Sequence, residues 1–365
     1  MTPPSPSSTS PSTASESRVE GGGATAGPPS VLVVGAGVAG LAAARAVHRH
    51  GLDVRVVDRG HRPGGRLATR TWDGRPVDHG ASYLTVGEEG RRDGFAQVVA
   101  GWEVAGLARR WTDTFGVASA DGRSTTTGPV RWAAPAGLRS LAEDLARGLE
   151  VDLATTVEQV TTTPGGRPAV DGVEWDAVVL AMPDEQARRL LGPGLAQEIR
   201  DEVLSRLDVA GEPVLAVAAR WPARVWDDLP DGLFVNDHPV LGWVADDGRR
   251  RGDGAPVLVA HTTSDFAIAH LEDPTAALPR VLEELGALLG VEPPSDAFVH
   301  RWGLARPVGH HDEPFLLRST GAGALAVCGD AWSDRPRVEA AWLSGERCGS
   351  AVVQTLADQP AGRSA

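Results

Sequence analysis

The sequence predicts an α/β fold: a mostly parallel sheet flanked by helices, interrupted by an inserted α+β region with an antiparallel sheet. Three observations predict it. A strand, a glycine turn, a helix and a second strand follow one another between Ser30 and Asp58. Two more runs of buried-strand type, Ala177-Val178-Val179-Leu180-Ala181 and Ala324-Leu325-Ala326-Val327-Cys328, come much later in the chain. Between them lie short apolar runs separated by turn signals, as in an antiparallel sheet.

Val31-Leu32-Val33-Val34 is apolar and β-branched, which suits a parallel strand buried on both faces. Gly35-x-Gly37-x-x-Gly40 follows at once, and Leu41 to His50 reads as an Ala-rich helix ended by Gly51. Val54 to Val57 is the next strand, and it delivers Asp58 23 residues after Gly35. That spacing is close to the roughly 20 residues expected for an acid on a ribose hydroxyl. Gly35 allows the tight turn, Gly37 lets backbone approach a pyrophosphate, and Gly40 lets the helix pack on the sheet; the helix N-terminus offers N–H groups to phosphate. The alternative, an ordinary βαβ unit, leaves Asp58 unexplained. The unit is Rossmann-type.

Arg59 to Leu67 contains Pro63-Gly64-Gly65-Arg66, a turn whose paired glycines permit a second close approach of backbone to ligand, with a guanidinium directly behind it. It is a surface loop or a second contact on the same dinucleotide. Val77 to Thr85 is a short extended segment, either a strand with a Gly bulge or a small-residue surface against a flat ring. A helix is expected over 91–100 and hairpin material over 104–119, around Trp111 and Phe115. Leu138, Leu141, Leu145 and Leu149 carry a helix opened by Pro135-Ala136-Gly137; 151–161 is extended, and a hairpin over 167–175 turns at Asp171-Gly172.

Asp176 to Pro183 is the second buried strand, followed by helices over 184–191 and 195–207. The runs 214–219, 232–235, 240–244 and 257–261, an amphipathic helix over 275–289 and a strand over 297–302 then make Glu212 to about Arg306 the bulk of an inserted region. After Ala324 to Cys328 come Gly329-Asp330 and a last helix from about Val338. A dinucleotide contacted by the first and last thirds of a chain is a long cofactor across a sheet, which suits FAD better than NAD. The division expected is a discontinuous FAD-binding domain (30–90, 130–190, 308–358), a substrate domain (91–129, 191–307), a disordered Pro/Ser/Thr/Gly-rich tail over 1–29 and a tail over 359–365.

Composition bounds the function. Of 365 residues 42% are hydrophobic and 23% charged, ordinary for a globular chain, and the net charge of −13 argues against nucleic acid and anionic membranes as partners. No run approaches the ~20 apolar residues of a membrane span. The two cysteines, Cys328 and Cys348, make no disulfide framework and fit a cytoplasmic location. HExxH, CxxC and GxSxG are absent, so no metal and no serine hydrolase is expected. The chain has no lysine; every one of its 35 basic residues is arginine, which excludes Schiff-base chemistry on a lysine amine.

In VLVVGAGVAGLAAARAV with Asp58, RPGGRLATR, VDHGASYLTV, WAAPAGLRSLAEDLA, DAVVLAMPDEQA, HRWGLARPV and CGDAW…RVEAAWLSGERCG, the chain resembles the flavin-containing amine oxidase superfamily, and within it the renalase-like oxidoreductases. The resemblance spans nearly all of Val31 to Leu356 and implies FAD. It places Gly35, Ala36, Gly37, Val38, Ala39 and Gly40 on the pyrophosphate and Asp58, with Arg59 beside it, at the adenosine ribose. It further places Gly64, Gly65 and Arg66 along the diphosphate and ribityl chain, Val157 at the adenine, Gly329 and Asp330 on the ribityl and phosphate, and Val338 and Glu339 at the flavin end. Gly137-Leu138 departs from the Gly-Met frequent in the family. The missing lysine departs further, since many amine and polyamine oxidases resembling this chain hold a water at flavin N5 through one.

The activity implied is hydride transfer from a dihydronicotinamide isomer to flavin N5, with O₂ as acceptor giving peroxide. A reduced nicotinamide dinucleotide is then the small-molecule partner. Amine oxidation or desaturation of another metabolite, and a non-catalytic flavin-binding role, are the alternatives. Trp302 is the candidate pocket wall or a core residue; His79 and His261 are pocket candidates or structural. Cys328, in an apolar strand, is expected to pack rather than to attach a flavin.

Overall fold

The computed structural model describes residues Pro28 to Gln359 apart from Asp227. The expected tail over 1–29 thus falls, but for its last two residues, outside the described residues, as does nearly all of the one over 359–365.

Six strands from three separated stretches form one sheet, in the order Leu316–Ser319, Ala324–Cys328, Ala177–Ala181, Ser30–Val34, Asp53–Val57, Glu150–Asp152. All pairings are parallel except that of Leu316–Ser319 with Ala324–Cys328. The unbroken apolar runs explain its burial, because alternate residues face opposite layers. Val31, Val33, Val179 and Ala326 enter one core with the helices Val38–Arg49 and Val338–Asp358, while Leu32, Val34, Val178 and Val327 enter another with Leu191, Val203 and Leu207. The two long helices pack closely because Gly345 and Gly349 face the first: a Cβ there would stand 2.0 Å from the Ala39 carbonyl and 2.4 Å from that of Ala43.

Eight strands form a second sheet: Asp296–Val308, Ala210–Arg220, Val257–Thr262, Leu241–Asp246, Gly232–Val235, Arg109–Ser119, Gly122–Ala133 and Leu84–Thr85. It is antiparallel except between Gly232–Val235 and Arg109–Ser119. The helix Leu278–Leu289 buries Val281 and Leu285 on one face.

The structure corrects several expected boundaries. The helix expected over 91–100 is two, Glu88–Arg92 and Phe95–Val104, broken where Gly94 takes φ +100°. Hairpin structure begins only at Arg109, and its second arm runs on to Ala133. The helix carried by Leu138 to Leu149 ends at Leu145. Of the extended stretch 151–161, only its two ends are strands, Glu150–Asp152 and Val160–Thr162. The strand expected over 297–302 continues to Val308. The hairpin Thr69–Trp72/Arg75–Asp78 escaped the sequence reading, although Asp73-Gly74, both at positive φ, is a strong two-residue turn signal.

Candidate active site

The glycine turn is built as its spacing requires. Gly35 sits at φ +114°, and a Cβ on it would stand 2.5 Å from the Ala181 carbonyl; one on Gly40 would stand 1.8 Å from that of Gly35. Gly37 differs, because a Cβ there would meet nothing within 4 Å. That open position is where a ligand can press against bare backbone. Val38 and Ala39 are buried behind it.

Asp58 fixes the turn. One carboxylate oxygen accepts from Ala36 N at 2.6 Å and the other from Gly60 N at 2.7 Å, leaving further lone pairs for a hydroxyl. Its neighbour Arg59 is exposed. Gly64 and Gly65, at φ +115° and +51°, lay the second glycine turn against the first: Gly64 N donates to Ala36 O at 2.8 Å, and a Cβ on Gly65 would stand 3.6 Å from Gly37 Cα. Arg66 then grips Asp330 with both guanidinium arms, at 2.7 and 3.0 Å, and reaches Ala305 O at 3.4 Å. Gly329 N donates to Ser344 Oγ at 3.1 Å. Residues 35–40, 58, 64–66 and 329–330 therefore converge on one end of the parallel sheet, and Val157 joins Val34 and Val57 in the core there. An open Gly37 and two glycine turns free of side chains fit a dinucleotide pyrophosphate; Arg66 and Asp330 offer polar groups to what lies beyond it.

Val338 begins the last helix as expected, but the buried Glu339 carboxylate is committed to protein: it accepts from Gly87 N at 2.7 Å and Gly90 N at 2.9 Å and pairs with Arg337 at 2.7 Å.

The segment after Val77 is held by charges the sequence reading passed over. Asp78 accepts from Thr69 and from Leu138 N at 2.9 Å and pairs with Arg251 at 2.9 Å. Arg250, wholly buried, donates to the carbonyls of Asp78 at 3.1 Å and Ser82 at 3.2 Å, bracketing His79 to Ala81. Asp247 anchors Arg250, Arg251 and Arg75 together. Burial works to raise its carboxyl, but the three guanidiniums outweigh this and hold it below the usual range. The run Asp246-Asp247-Gly248-Arg249-Arg250-Arg251 reads from sequence as a solvated surface face, so no local signal marks it as core.

Of the pocket candidates, His79 and Trp302 meet. Trp302 Nε1 donates to His79 O at 2.7 Å and the rings stack with centroids 5.7 Å apart. Phe298, His300 and Trp302 alternate along one strand, and His79 lies against all three. That period-two pattern was the available signal for His300, which was missed. Burial, then His300, Arg139, His261 and Arg70, push His79 down to about 3. His261 lies in the strand Val257–Thr262, across Ala216 from His300, and burial with Arg250 and Arg306 takes it to about 3. Both imidazoles are neutral at physiological pH. Cys328 is buried and unbridged, packed in its strand. Elsewhere Asp184, Asp208 and His311 bring ligand atoms within 4.8 Å of one another, with His311 and Asp184 joined at 2.8 Å.

Comparison with known proteins agrees with this geometry. The NAD(P)-binding Rossmann-like domain family matches residues 33–96, and the flavin containing amine oxidoreductase family matches residues 95–353. The chain is 48% identical over 59 residues to polyamine oxidase 4 of Oryza sativa subsp. japonica and 46% identical over 56 residues to hydroxyneurosporene desaturase of Rubrivivax gelatinosus. Those matches span 16% and 15% of this chain, and only 12% and 11% of the relatives' own length. In fold it is similar to putrescine oxidase (TM-score 0.67, 17% identity, 89% of this chain and 99% of that one). It is likewise similar to cyclohexylamine oxidase from Brevibacterium oxydans IH-35A (TM-score 0.68, 14% identity, 90% and 100%). The chain belongs to the flavin containing amine oxidoreductases, which are FAD-dependent enzymes.

Proposed function

We propose that the protein is a renalase-like oxidase that takes a hydride from a dihydronicotinamide isomer and passes the electrons to O₂, giving peroxide. The observation that carries the reading is the wall formed by His79, His300 and Trp302 in a chain with no lysine. It is aromatic and neutral, with His79 stacked on Trp302 at an interplanar angle of 21° and His300 tilted against both, and it suits the face of a reduced ring. Oxidation of a dihydronicotinamide needs no protein base, and burial, which pushes His79 down to about 3, leaves this wall only a weak one. The flavin, when bound, accepts the two electrons; the protein supplies orientation, electrostatics and a dry pocket.

Gly35 to Gly40, Gly64 and Gly65 are the backbone on which the FAD pyrophosphate rests in this proposal, with Asp58 on the ribose, Arg66 and Asp330 along the ribityl chain and Val157 at the adenine. Arg250 keeps His79 to Ala81 in place through its two carbonyl contacts. The N-terminus of the 21-residue helix Val338–Asp358 offers its partial positive charge to an anionic reduced ring. The eight-stranded sheet carries the substrate wall, in keeping with a substrate domain. No described helix is long and apolar enough to cross a membrane, and the two free, buried cysteines support a cytoplasmic setting.

A second reading, oxidation of an amine, is favoured by the aromatic cluster of half-buried Tyr83 and Trp111 with buried Phe115 and Trp243, whose centroids lie 4.8 to 6.3 Å apart. Such faces also suit cations. Anaerobic titration of the yellow protein with borohydride-treated NAD⁺, a mixture of dihydronicotinamide isomers, separates the two. Bleaching by the minor isomers, with recovery in air, supports the proposal. Bleaching by amines alone refutes it.

A further inference from the structure

We infer that the cleft beside His79 is an anion site that takes the phosphates of a dinucleotide substrate while its reduced ring lies against Trp302. The cleft has a volume of about 460 Å³, and its lining includes Arg62, Arg70, Arg139, Thr71, His79 and His300. Three guanidiniums thus share one concavity in a chain of net charge −13.

They differ from the other arginines near the site in showing no hydrogen bond to a carboxylate among the described residues, although Glu143 and Asp78 lie near enough to act on Arg139. Arg66, Arg75, Arg250 and Arg251 each hold an aspartate within hydrogen-bond distance. Among the described residues, the one carboxylate paired with Arg62 is Glu143, at 3.9 Å. Arg70 lies over the Phe298 ring at 4.4 Å. Arg139 Nε is buried without a partner, and burial followed by the charge of Arg62 pushes its guanidinium down. His79 is 6% exposed, and its Nδ1 has no partner either. Like charges gathered around the unsatisfied Arg139 donor are unfavourable alone and are relieved by an anion. Arginine forks match phosphate oxygens in pairs.

The cleft is distinct from the cofactor's own phosphate position. A Cβ on Gly65 would face Gly37 Cα at 3.6 Å, whereas one on Gly64 would face Arg139 Cγ and Ala142 Cβ at 3.4 Å. The glycine turn stands between the two positions. From the cleft, His79 and His300 lead directly to Trp302, with centroids 5.7 and 4.5 Å from its ring. The identity of the ring end rests on the function proposed above; the binding of anions does not.

Isothermal titration of the FAD-loaded full chain tests this, with ADP-ribose, inorganic phosphate and adenosine as probes. ADP-ribose is expected to bind with a salt-dependent Kd, phosphate at least tenfold more weakly, and adenosine not at all. Arg70→Gln/Arg139→Gln should weaken ADP-ribose at least tenfold with FAD content per protein unchanged. Arg62→Glu, whose side chain is 66% exposed and so safe for folding, should do the same. An unchanged Kd in both variants overturns the site. Loss of FAD in step with ADP-ribose assigns the arginines to the cofactor and also overturns it. Phosphate binding as tightly as ADP-ribose overturns the dinucleotide assignment. Binding of ADP-ribose by a protein that no dihydronicotinamide bleaches would leave the site standing and refute the oxidase reading.

Discussion

Asp247→Asn tests whether buried charge holds the segment His79 to Ala81 in place. Asp247 is wholly buried, and its oxygens serve Arg75 at 2.6 Å, Arg251 at 3.1 Å and Arg250 at 3.1 Å. The amide keeps the volume but removes the charge, leaving Arg250 with no carboxylate and Arg251 with Asp78 alone. Breaking a buried ion pair from one side costs about 3–5 kcal/mol. Because Asp78 still pairs with Arg251, the lower end, ~3 kcal/mol, is expected. At ~2–4 °C per kcal/mol this lowers Tm by roughly 6–12 °C.

The pH dependence is a sharper check. The folded Asp247 carboxyl lies below its ordinary value. Such a group stabilises fully above its unfolded pKa, about 3.9, and the contribution is lost only as pH falls through the folded value. Thermal unfolding of wild type and variant should therefore show a constant gap between pH 6 and 8 that narrows only below about pH 4. A gap under about 1 kcal/mol, or one that closes between pH 6 and 8, would refute the network's role.

Gly37→Ala should leave FAD-free stability nearly unchanged, because its Cβ meets only open space, while FAD affinity measured by fluorescence falls at least tenfold; Gly40→Ala, 1.8 Å from Gly35 O, should instead fail to give a stable protein. Asp330→Asn weakens the partly buried, bidentate clasp with Arg66 and should cost about 1–2 kcal/mol of stability, yet weaken FAD measurably in the same titration. His79 and His261 stay neutral in the fold down to about 3, whereas an unfolded histidine takes a proton below about 6.5. Stability is then unaffected well above that value and falls on acidification, by about 4 kcal/mol for the pair at pH 5. His79→Phe should roughly halve the fall between pH 7 and 5 in chemical denaturation.

The nucleotide-binding half was legible because its signals are local. Gly35, Gly40 and Asp58 act through turn geometry and spacing within one βαβ unit, and the structure sets both glycines where a Cβ would clash and Asp58 on the N–H of Ala36 in the turn. The hairpin turn at Asp73-Gly74 was equally local and was simply not read. The pocket was not legible, because it forms across distance: Trp302 reaches a carbonyl 223 residues away, and His300 faces His79 only through strand pairing of Asp296–Val308 with Ala210–Arg220. Glu339 was placed at the right helix end, but its carboxylate serves Gly87 and Gly90, which no sequence spacing links to it.

A chain without lysine puts one side chain to two uses, and the partner decides which. The planar guanidinium loses less on burial than an ammonium, and its five donors can satisfy carbonyls and carboxylates together, as Arg250 does between Asp247, Asp78 and Ser82. Such an arginine is scaffold. Arg62, Arg70 and Arg139 line an open cleft, Arg139 with its Nε unpartnered, and in our proposal serve a ligand. Lysine in place of Arg250 would keep the charge but could not span three partners in fixed geometry, so Arg250→Lys should destabilise the fold. Lysine in place of Arg70 keeps a cation at the rim and should retain most anion affinity. The two conservative substitutions separate scaffold from site where the sequence shows only arginine.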